Sequence, residues 1–561
     1  MGLAFGRAGR RAGTGFLALL WLLVAALPGA GLAAVTAVDL LERSRLDGTF
    51  DAGAYEALRA TLHFAVDPLD PHNALIADIA AAPRRADGKV EFTADLLVWT
   101  PVDPERGNGV ALVDIPNRGT QVITSFNRPE AGQPFGDGFL LDAGYTLVWI
   151  GWEHDTLDPE SGIDIQVPSA AGEPVAGLGL AAVRDLGSWM AYDDTALVQS
   201  QQLLAFGLSQ SGRFLRTFLY YGFNEDEQGR QVFDGLLPHV AGAALLDINR
   251  RGARPLDRAM YAATLYPFTD AAYPDPASSA HEGLLDNPRA RATQPKIVYT
   301  DSANEYWGGG RVAALTHLTP DGMADIDLPA NVRRYYLAGT QHVPAAFPPP
   351  AVATAQLTAN PLDYVWHLRA LLTALTAWVV EGQEPPPSLY PRRAAGELVS
   401  AERHAFPGLP GSERLRTLGA GVRLGNALLP NAAAPGTALP LLVPQGDADG
   451  NDLAGLRHPE LVVPLATYTG WNFQRPAAGD PAELVPLIGG YLALPADAAA
   501  GRRTGDPRVS VAERYASKQA FLERIEQEAL RQVSSRYLLA ADVDAIVERA
   551  SRHWDLVTAP R

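Results

Sequence analysis

Apolar and polar residues alternate along the chain first in a strand-like rhythm and later in a helical one. From Val35 to about Asn108 the chain is β-rich. Leu58 to Val66 and Val90 to Trp99 read as strands, separated by turn chemistry such as Asp67-Pro68-Leu69-Asp70-Pro71. Short unbroken apolar runs come next at Gly109 to Ile115, Gly144 to Gly151, Leu203 to Phe206, His239 to Leu245, Lys296 to Thr300 and Val332 to Ala338. Such runs predict buried strands of a mostly parallel sheet. Helical spacing falls between or after them: past Gly177-Leu178-Gly179, from Arg213 to Tyr221, and from Asn360 to Glu381. Near the end, Tyr515, Leu522, Ile525, Ala529 and Val533 trace one apolar helix face, and a second short helix is expected near Asp542 to His553. Strands alternating with helices make an α/β chain. The stretch 251–292 is rich in Pro, Asp, Arg and Ala without a sustained period. It reads as an insertion between sheet strands, of the kind that covers a site as a lid.

One stretch has strand, tight turn and helix in immediate succession. Leu203-Leu204-Ala205-Phe206 leads into Gly207-Leu208-Ser209-Gln210-Ser211-Gly212, and then into a breaker-free helical pattern. A serine at the apex of such a turn is the nucleophile elbow of the α/β-hydrolase fold. The turn admits only small residues two places before and after the serine, here Gly207 and Ser211. Centring the elbow on Ser211 instead would put Arg213 in a slot too tight for it. By itself the five-residue pattern is also a common accident of a chain rich in Gly, Ala and Ser. The order of acids and histidines downstream adds weight to the elbow reading.

A serine hydroxyl needs a base within hydrogen-bond reach, and the base needs an acid to hold its tautomer. The fold orders these as serine, acid, histidine. Of the eleven histidines, His342 alone comes after the last sheet strand at the required place, closing Gly339-Thr340-Gln341-His342. His154, between two acids, precedes the serine and reads as a loop residue near the site. His63 lies within a strand and reads as structural. For the acid, Glu305 stands a few residues past the Lys296 strand, with Asp301 at the strand end and Asp247 after the earlier strand as alternatives. The oxyanion hole would combine the backbone N–H of Gln210 with one from Asn117, Arg118, Gly119 or Thr120, in the loop after Gly109 to Ile115. Trp152, Tyr306 and Trp307 are candidates for the wall of a substrate pocket.

At 561 residues the chain can bury a large core, and a hydrolase domain with insertions can use most of it. The formal charge of −17 argues against nucleic acid or an anionic membrane surface as partner. Only Lys89, Lys296 and Lys518 are lysines, so arginine carries the positive charge. Arg7, Arg10 and Arg11 precede an apolar run from Phe16 to Leu27, then Pro28-Gly29 and the small residues Gly31 to Ala34. That is the order of a signal peptide, 1–34, with a run too short for a stable membrane span. A periplasmic or secreted protein without membrane insertion after signal removal is expected. There is no cysteine, so no disulfide, thiolate nucleophile or zinc–thiolate site is possible. No cofactor is called for: Gly177-Leu178-Gly179 has no strand before it and opens a helix, unlike a dinucleotide fingerprint. No metal is called for either. Asp447 to Asp452 offers calcium-like oxygens, but its glycine comes too early and no glutamate closes the loop, so it reads as an Asp/Gly/Asn turn.

With these motifs in hand, the chain resembles the bacterial α/β-hydrolase domain-containing family, sometimes called alpha/beta hydrolase family 10. The resemblance rests on 207–215, on 228–235, on Asn304-Glu305-Tyr306-Trp307, on Gly339-Thr340-Gln341-His342, on 446–451 and on 466–472. It spans nearly the whole mature chain and implies the fold and a Ser209, Glu305, His342 triad more than any substrate. The stretch between the Trp152 loop and the Gly177 helix is short compared with relatives, which implies a more open entrance. The expected organisation is a hydrolase domain over 35–390, carrying the lid-like insertion, and a C-terminal segment over 391–561 packed on it. The expected activity is hydrolysis of a small-molecule carboxylic ester through an acyl-enzyme. The alternatives are an amidase, peptidase or acyltransferase with the same triad, and a binding protein on a hydrolase fold.

Overall fold

The computed structural model describes residues 34–128, 135–156, 162–253, 263–275, 279–288, 291–307, 312–409, 422–426 and 439–559. The expected signal segment, Ala34 apart, lies outside these residues, as do parts of the 251–292 insertion. Ala33–Arg561 forms one compact unit.

Its centre is a ten-stranded sheet. The strands are β1 (Val35–Arg45), β2 (Tyr55–Val66), β3 (Val90–Pro101), β4 (Val110–Asp114), β5 (Thr146–Ile150), the short β6 (Ile165–Gln166), β7 (Gln202–Leu208), β8 (Gly235–His239), β9 (Lys296–Ser302) and β10 (Val332–Leu337). Their order is β1-β2-β3-β5-β4-β7-β8-β9-β10, with β6 pairing on β3. Pairing is antiparallel from β1 as far as β5 and parallel from β5 to β10. The parallel half needs crossover helices, and helices cover both faces of the sheet. Crossover helices α1 (Leu178–Tyr192) and α2 (Gln210–Tyr220) lie on one face, and α3 (Val365–Val380), which follows the last strand, lies on the other.

The strand residues sort themselves accordingly. Ala111, Val113, Leu203 and Ala205 enter the core with Leu186 of α1 and Phe214 of α2. Their neighbours Val110, Leu112, Leu204 and Phe206 enter the core with Leu368 and Leu375 of α3. The period-two alternation is therefore present, but both faces are apolar, which is why these strands read as unbroken runs.

The first sheet strand after the elbow differs from expectation. The chain pairs over Gly235–His239 and not over His239 to Leu245. Asp234 fixes the start: its carboxylate accepts the Leu203 N–H at 2.8 Å, and its carbonyl accepts the Lys296 N–H at 2.9 Å. Val240 then turns out of the sheet with φ 45°. Ala241 to Leu246 are apolar because they are buried beyond the strand, not because they pair in it.

The C-terminal segment is woven into the site end of the sheet. Ala466–Thr469 and Gly490–Ala493 pair with each other, and the latter with Thr358–Ala359. Helices α4 (Lys518–Ser534) and α5 (Val543–Thr558) present Phe521, Ile525, Ala529, Ile546 and Ala550 to Trp366 at the start of α3. The described part of the insertion lies along α2: the Phe268 carbonyl accepts from Arg216 at 2.7 Å, and Glu282 accepts from Tyr220 at 2.8 Å. Among the described residues no helix is long and apolar enough to cross a membrane.

Candidate active site

Ser209 sits between the last residue of β7 and the first of α2, with φ 58° and ψ −106°. A non-glycine residue held in such a conformation costs about 1–3 kcal/mol and survives only where its surroundings over-determine it. Here they do. A Cβ at Gly207 would lie 2.4 Å from the Ser211 carbonyl oxygen and 2.5 Å from its carbon. A Cβ at Gly212 would lie 2.8 Å from the His239 carbonyl oxygen. Backbone thus passes backbone at a distance only glycine allows. The Ser209 N–H donates to the His239 carbonyl at 2.9 Å, and the Ser209 carbonyl accepts the Arg213 N–H at 2.9 Å.

Ser211 turns inward. Its Oγ donates to the Leu208 carbonyl at 3.1 Å and accepts the Leu208 N–H at 2.9 Å, and the residue is fully buried. It braces the strand end from which Ser209 projects. We expect Gly207→Ala to destabilise the fold by on the order of 3 kcal/mol or more, because the clash is with backbone. Calorimetry against wild type would measure it, and the variant should also react poorly with serine-directed probes.

The other two triad candidates leave the sheet nearby, since β7, β8, β9 and β10 are consecutive and parallel and end on the same side. Glu305 lies in the short helix Ala303–Trp307 directly after β9. That places it where its Oε1 meets His342 Nδ1 at 2.6 Å, in the loop after β10. Both side chains are buried. The second Glu305 oxygen accepts the Ser302 hydroxyl and, at 3.2 Å, the Ser302 N–H. Tyr364 donates its hydroxyl to the His342 carbonyl at 2.7 Å.

The alternative acids are engaged elsewhere. Asp301 accepts from Arg334 at 3.1 Å and from the Gly242 N–H at 2.9 Å. Asp247 pairs with Arg250. A second histidine, His239, packs edge-on against Tyr364 and shares a 2.8 Å hydrogen bond with Thr300. Burial pushes its pKa down to about 3, so it is a neutral interior side chain.

The loop after β4 is a tight hairpin. The Asn117 N–H donates to the Thr120 carbonyl at 2.8 Å, and the Thr120 N–H donates back to the Asn117 carbonyl at 3.0 Å. Arg118 and Gly119, at φ 54° and φ 80°, form its tip, as in a type I′ turn. This corrects two of the oxyanion candidates: Asn117 and Thr120 spend their N–H groups on each other. The Arg118 N–H donates to the Gln210 side-chain oxygen at 3.2 Å. Gly119 and the backbone N–H of Gln210, the first residue of α2, carry the reading forward. Asp114, buried at the end of β4, ties down the far side of the loop by accepting the Val122 and Ile123 N–H groups, both at 2.9 Å.

The pocket candidates also need correction. Trp152 is buried against Phe214, its ring centroid 4.5 Å away, and its indole N–H donates to the Pro116 carbonyl at 2.7 Å. Tyr306 is bonded to His317 at 2.9 Å in the interior. Trp307 packs edge-on to His404 and Trp471 and is also buried. All three support the loops from behind. An indole or phenol buried away from water does so when its polar end has a protein partner, as Trp152 and Tyr306 show.

Several supporting residues have no local signature. Asp452 accepts the Tyr336 hydroxyl at 2.5 Å and the Gly339 N–H at 2.6 Å. Gln341 Oε1 accepts the Asn360 N–H at 3.1 Å and the Gly489 N–H at 3.0 Å. Asn304 donates to the Gly470 carbonyl at 2.8 Å. The C-terminal segment thus holds the loops of both Glu305 and His342. The only hint in the sequence was that 446–451 and 466–472 were among the motifs of the family resemblance. Within the Asp447 turn, Asp447 accepts the Asp449 N–H at 2.9 Å and the Asn451 N–H at 3.0 Å.

Six parallel strands, antiparallel strands at one edge and a strained serine between strand and helix define an α/β hydrolase. The chain belongs to the alpha/beta hydrolase domain family, whose family model matches residues 70–548. No protein with a curated description matches the sequence. Among solved structures it is similar to acetyl xylan esterase 1 from Thermoanaerobacterium sp., at 11% identity and a TM-score of 0.22, over 37% of this chain and 53% of that one. A putative acetyl xylan esterase from Bacteroides fragilis aligns at 13% identity and a TM-score of 0.25, over 54% of this chain and 70% of that one. The ligand-bound cell wall degrading esterase LipA from Xanthomonas oryzae aligns at 11% and 0.26, over 51% and 85%. The chain spans about half the length of the first of these. Likeness at this level says nothing about substrate.

Proposed function

We propose that the protein is an exported serine hydrolase acting on small-molecule carboxylic esters, with Ser209 as nucleophile, His342 as base and Glu305 as its acid partner. The observation that carries this reading is the 2.6 Å bond between His342 and Glu305, in loops that follow strands parallel to the one ending at the strained Ser209 turn. In the proposed reaction Ser209 Oγ bonds to the ester carbonyl carbon and its proton passes to His342 Nε2. Charge gathers on the carbonyl oxygen, which the Gln210 N–H and the Arg118-Gly119 turn would receive. The C–O bond to the alcohol then breaks, and the alcohol leaves with the proton from His342. Water, activated by the same histidine, cleaves the acyl-enzyme to acid and free Ser209. Glu305 keeps the Nδ1 proton in place and stabilises the imidazolium.

Fluorophosphonate labelling of the mature protein tests this assignment. The expected result is one label per chain in wild type and in Ser211→Ala, and none in Ser209→Ala. Labelling lost only in Ser211→Ala would move the nucleophile, and an unlabelled, folded wild type would leave a binding protein as the better reading. Parallel assays with a nitrophenyl ester and the matching anilide separate esterase from amidase.

A further inference from the structure

Gln210 reaches the site twice. Its backbone N–H stands beside Ser209, and its side chain crosses to the neighbouring loops. There Oε1 accepts the Arg118 N–H at 3.2 Å, while Nε2 donates to Glu153 Oε1 at 3.1 Å. An amide has a direction. Turned over, it would set NH2 against the Arg118 N–H, donor against donor. An ionised carboxylate only accepts, so Glu153 selects the direction in which both contacts are sound.

Glu153 is built to hold that place. It is 1% exposed, in the loop after β5. Its carbonyl accepts the Ile165 N–H at 3.2 Å. A Cβ at Gly179 of α1 would come within 2.1 Å of the carbonyl oxygen of its neighbour Trp152, so the loop is pressed onto the helix. Its second oxygen, Oε2, is buried without a hydrogen-bond partner.

We infer that Glu153 is a positioning residue for the oxyanion hole. It orients the Gln210 side chain, and that side chain locks the Arg118-Gly119 turn to the first N–H of α2. The two halves of the hole come from elements far apart in sequence, Arg118 and Gln210 being separated by 92 positions. The inference rests on the serine-hydrolase reading above.

The device works when Glu153 is ionised. Burial raises its carboxyl to about 7; Asp155 raises it further, while the Gln210 bond and the charge and N–H of Arg118 lower it. Below that pH the protonated carboxyl can donate as well as accept, and only the Arg118 contact still favours one direction of the amide. Turnover therefore falls on the acid side through Glu153 as well as through His342.

The test is kcat and KM against pH for an ester substrate in wild type, Glu153→Leu and Glu153→Gln, with fluorophosphonate labelling of each. Glu153→Leu should lose about 10- to 100-fold in kcat, less than a full oxyanion donor, with KM within about twofold and Ser209 still labelled. Glu153→Gln can donate as the protonated acid can, so it should lose kcat at pH 8 to a similar extent as Glu153→Leu. Its acid limb should have a slope of one where the wild-type limb is steeper than one. A Glu153→Leu enzyme with wild-type kcat, or a Glu153→Gln acid limb identical to wild type, overturns the inference. Should Glu153→Leu fail to fold, the Glu153→Gln slope decides. An unlabelled Ser209 in wild type would instead overturn the parent reading, and this one with it.

Discussion

Ser209→Ala is expected to lower ester turnover by on the order of 10⁶ while leaving the fold in place. The size reflects the chemistry the residue supplies. Without Oγ no acyl-enzyme forms, and only binding and the electrostatics of the oxyanion donors acting on water survive. The fold should survive because alanine is smaller than serine and fits the elbow. At φ 58° alanine carries the same backbone strain as serine, so the melting temperature should stay within a degree or two of wild type. Steady-state kinetics on purified protein, with calorimetry alongside, checks both halves. Turnover within tenfold of wild type would remove Ser209 from the mechanism.

Glu305→Gln is expected to lower kcat by on the order of 10⁴ at neutral pH, with little change in KM. The carboxylate meets His342 Nδ1 at 2.6 Å and only accepts, so it holds the proton on Nδ1, and in the proposed mechanism Nε2 is left to take the serine proton. An amide in its place can present NH2 to Nδ1. That fixes the other tautomer, with a proton on Nε2 where a lone pair is needed. The variant also weakens the contacts to Ser302, which are made to the second carboxylate oxygen. Asp301→Asn gives the contrast: Asp301 faces Arg334, so its loss should appear mainly as lower stability. A Glu305→Gln enzyme with wild-type kcat would assign the acid elsewhere.

Much of the site was legible in the sequence where the governing physics is local. Gly207 and Ser211 flank a serine that leads into a helix, and the steric need of a sharp turn explains both of them. His342 stood out by chain order, after the last strand. For the acid the sequence put Glu305 first and left Asp301 and Asp247 as alternatives, because one helical turn decides which carboxylate reaches across to the next strand's loop. Likewise the Asn117 to Thr120 stretch could be marked as the oxyanion loop, but not which of its N–H groups the hairpin consumes. Trp152 and Tyr306 looked like pocket residues because aromatic side chains near a site serve equally as wall and as support.

The strand at Gly235–His239 shows the same division from the fold side. Apolar runs continue past a strand wherever the next loop is buried, so composition alone slid the element toward Leu245. Periodicity, small-residue turns and chain order are properties of neighbouring residues, and from them came the α/β architecture, the elbow and the base candidate. Partnerships such as Asp452 with Gly339, Gly489 with Gln341 and Glu153 with Gln210 join residues 57 to 148 positions apart. They exist only once the sheet has stacked its strands and the C-terminal segment has closed on the loops. A hydrogen bond is set by distance and direction in space, and packing determines both, whatever the order along the chain.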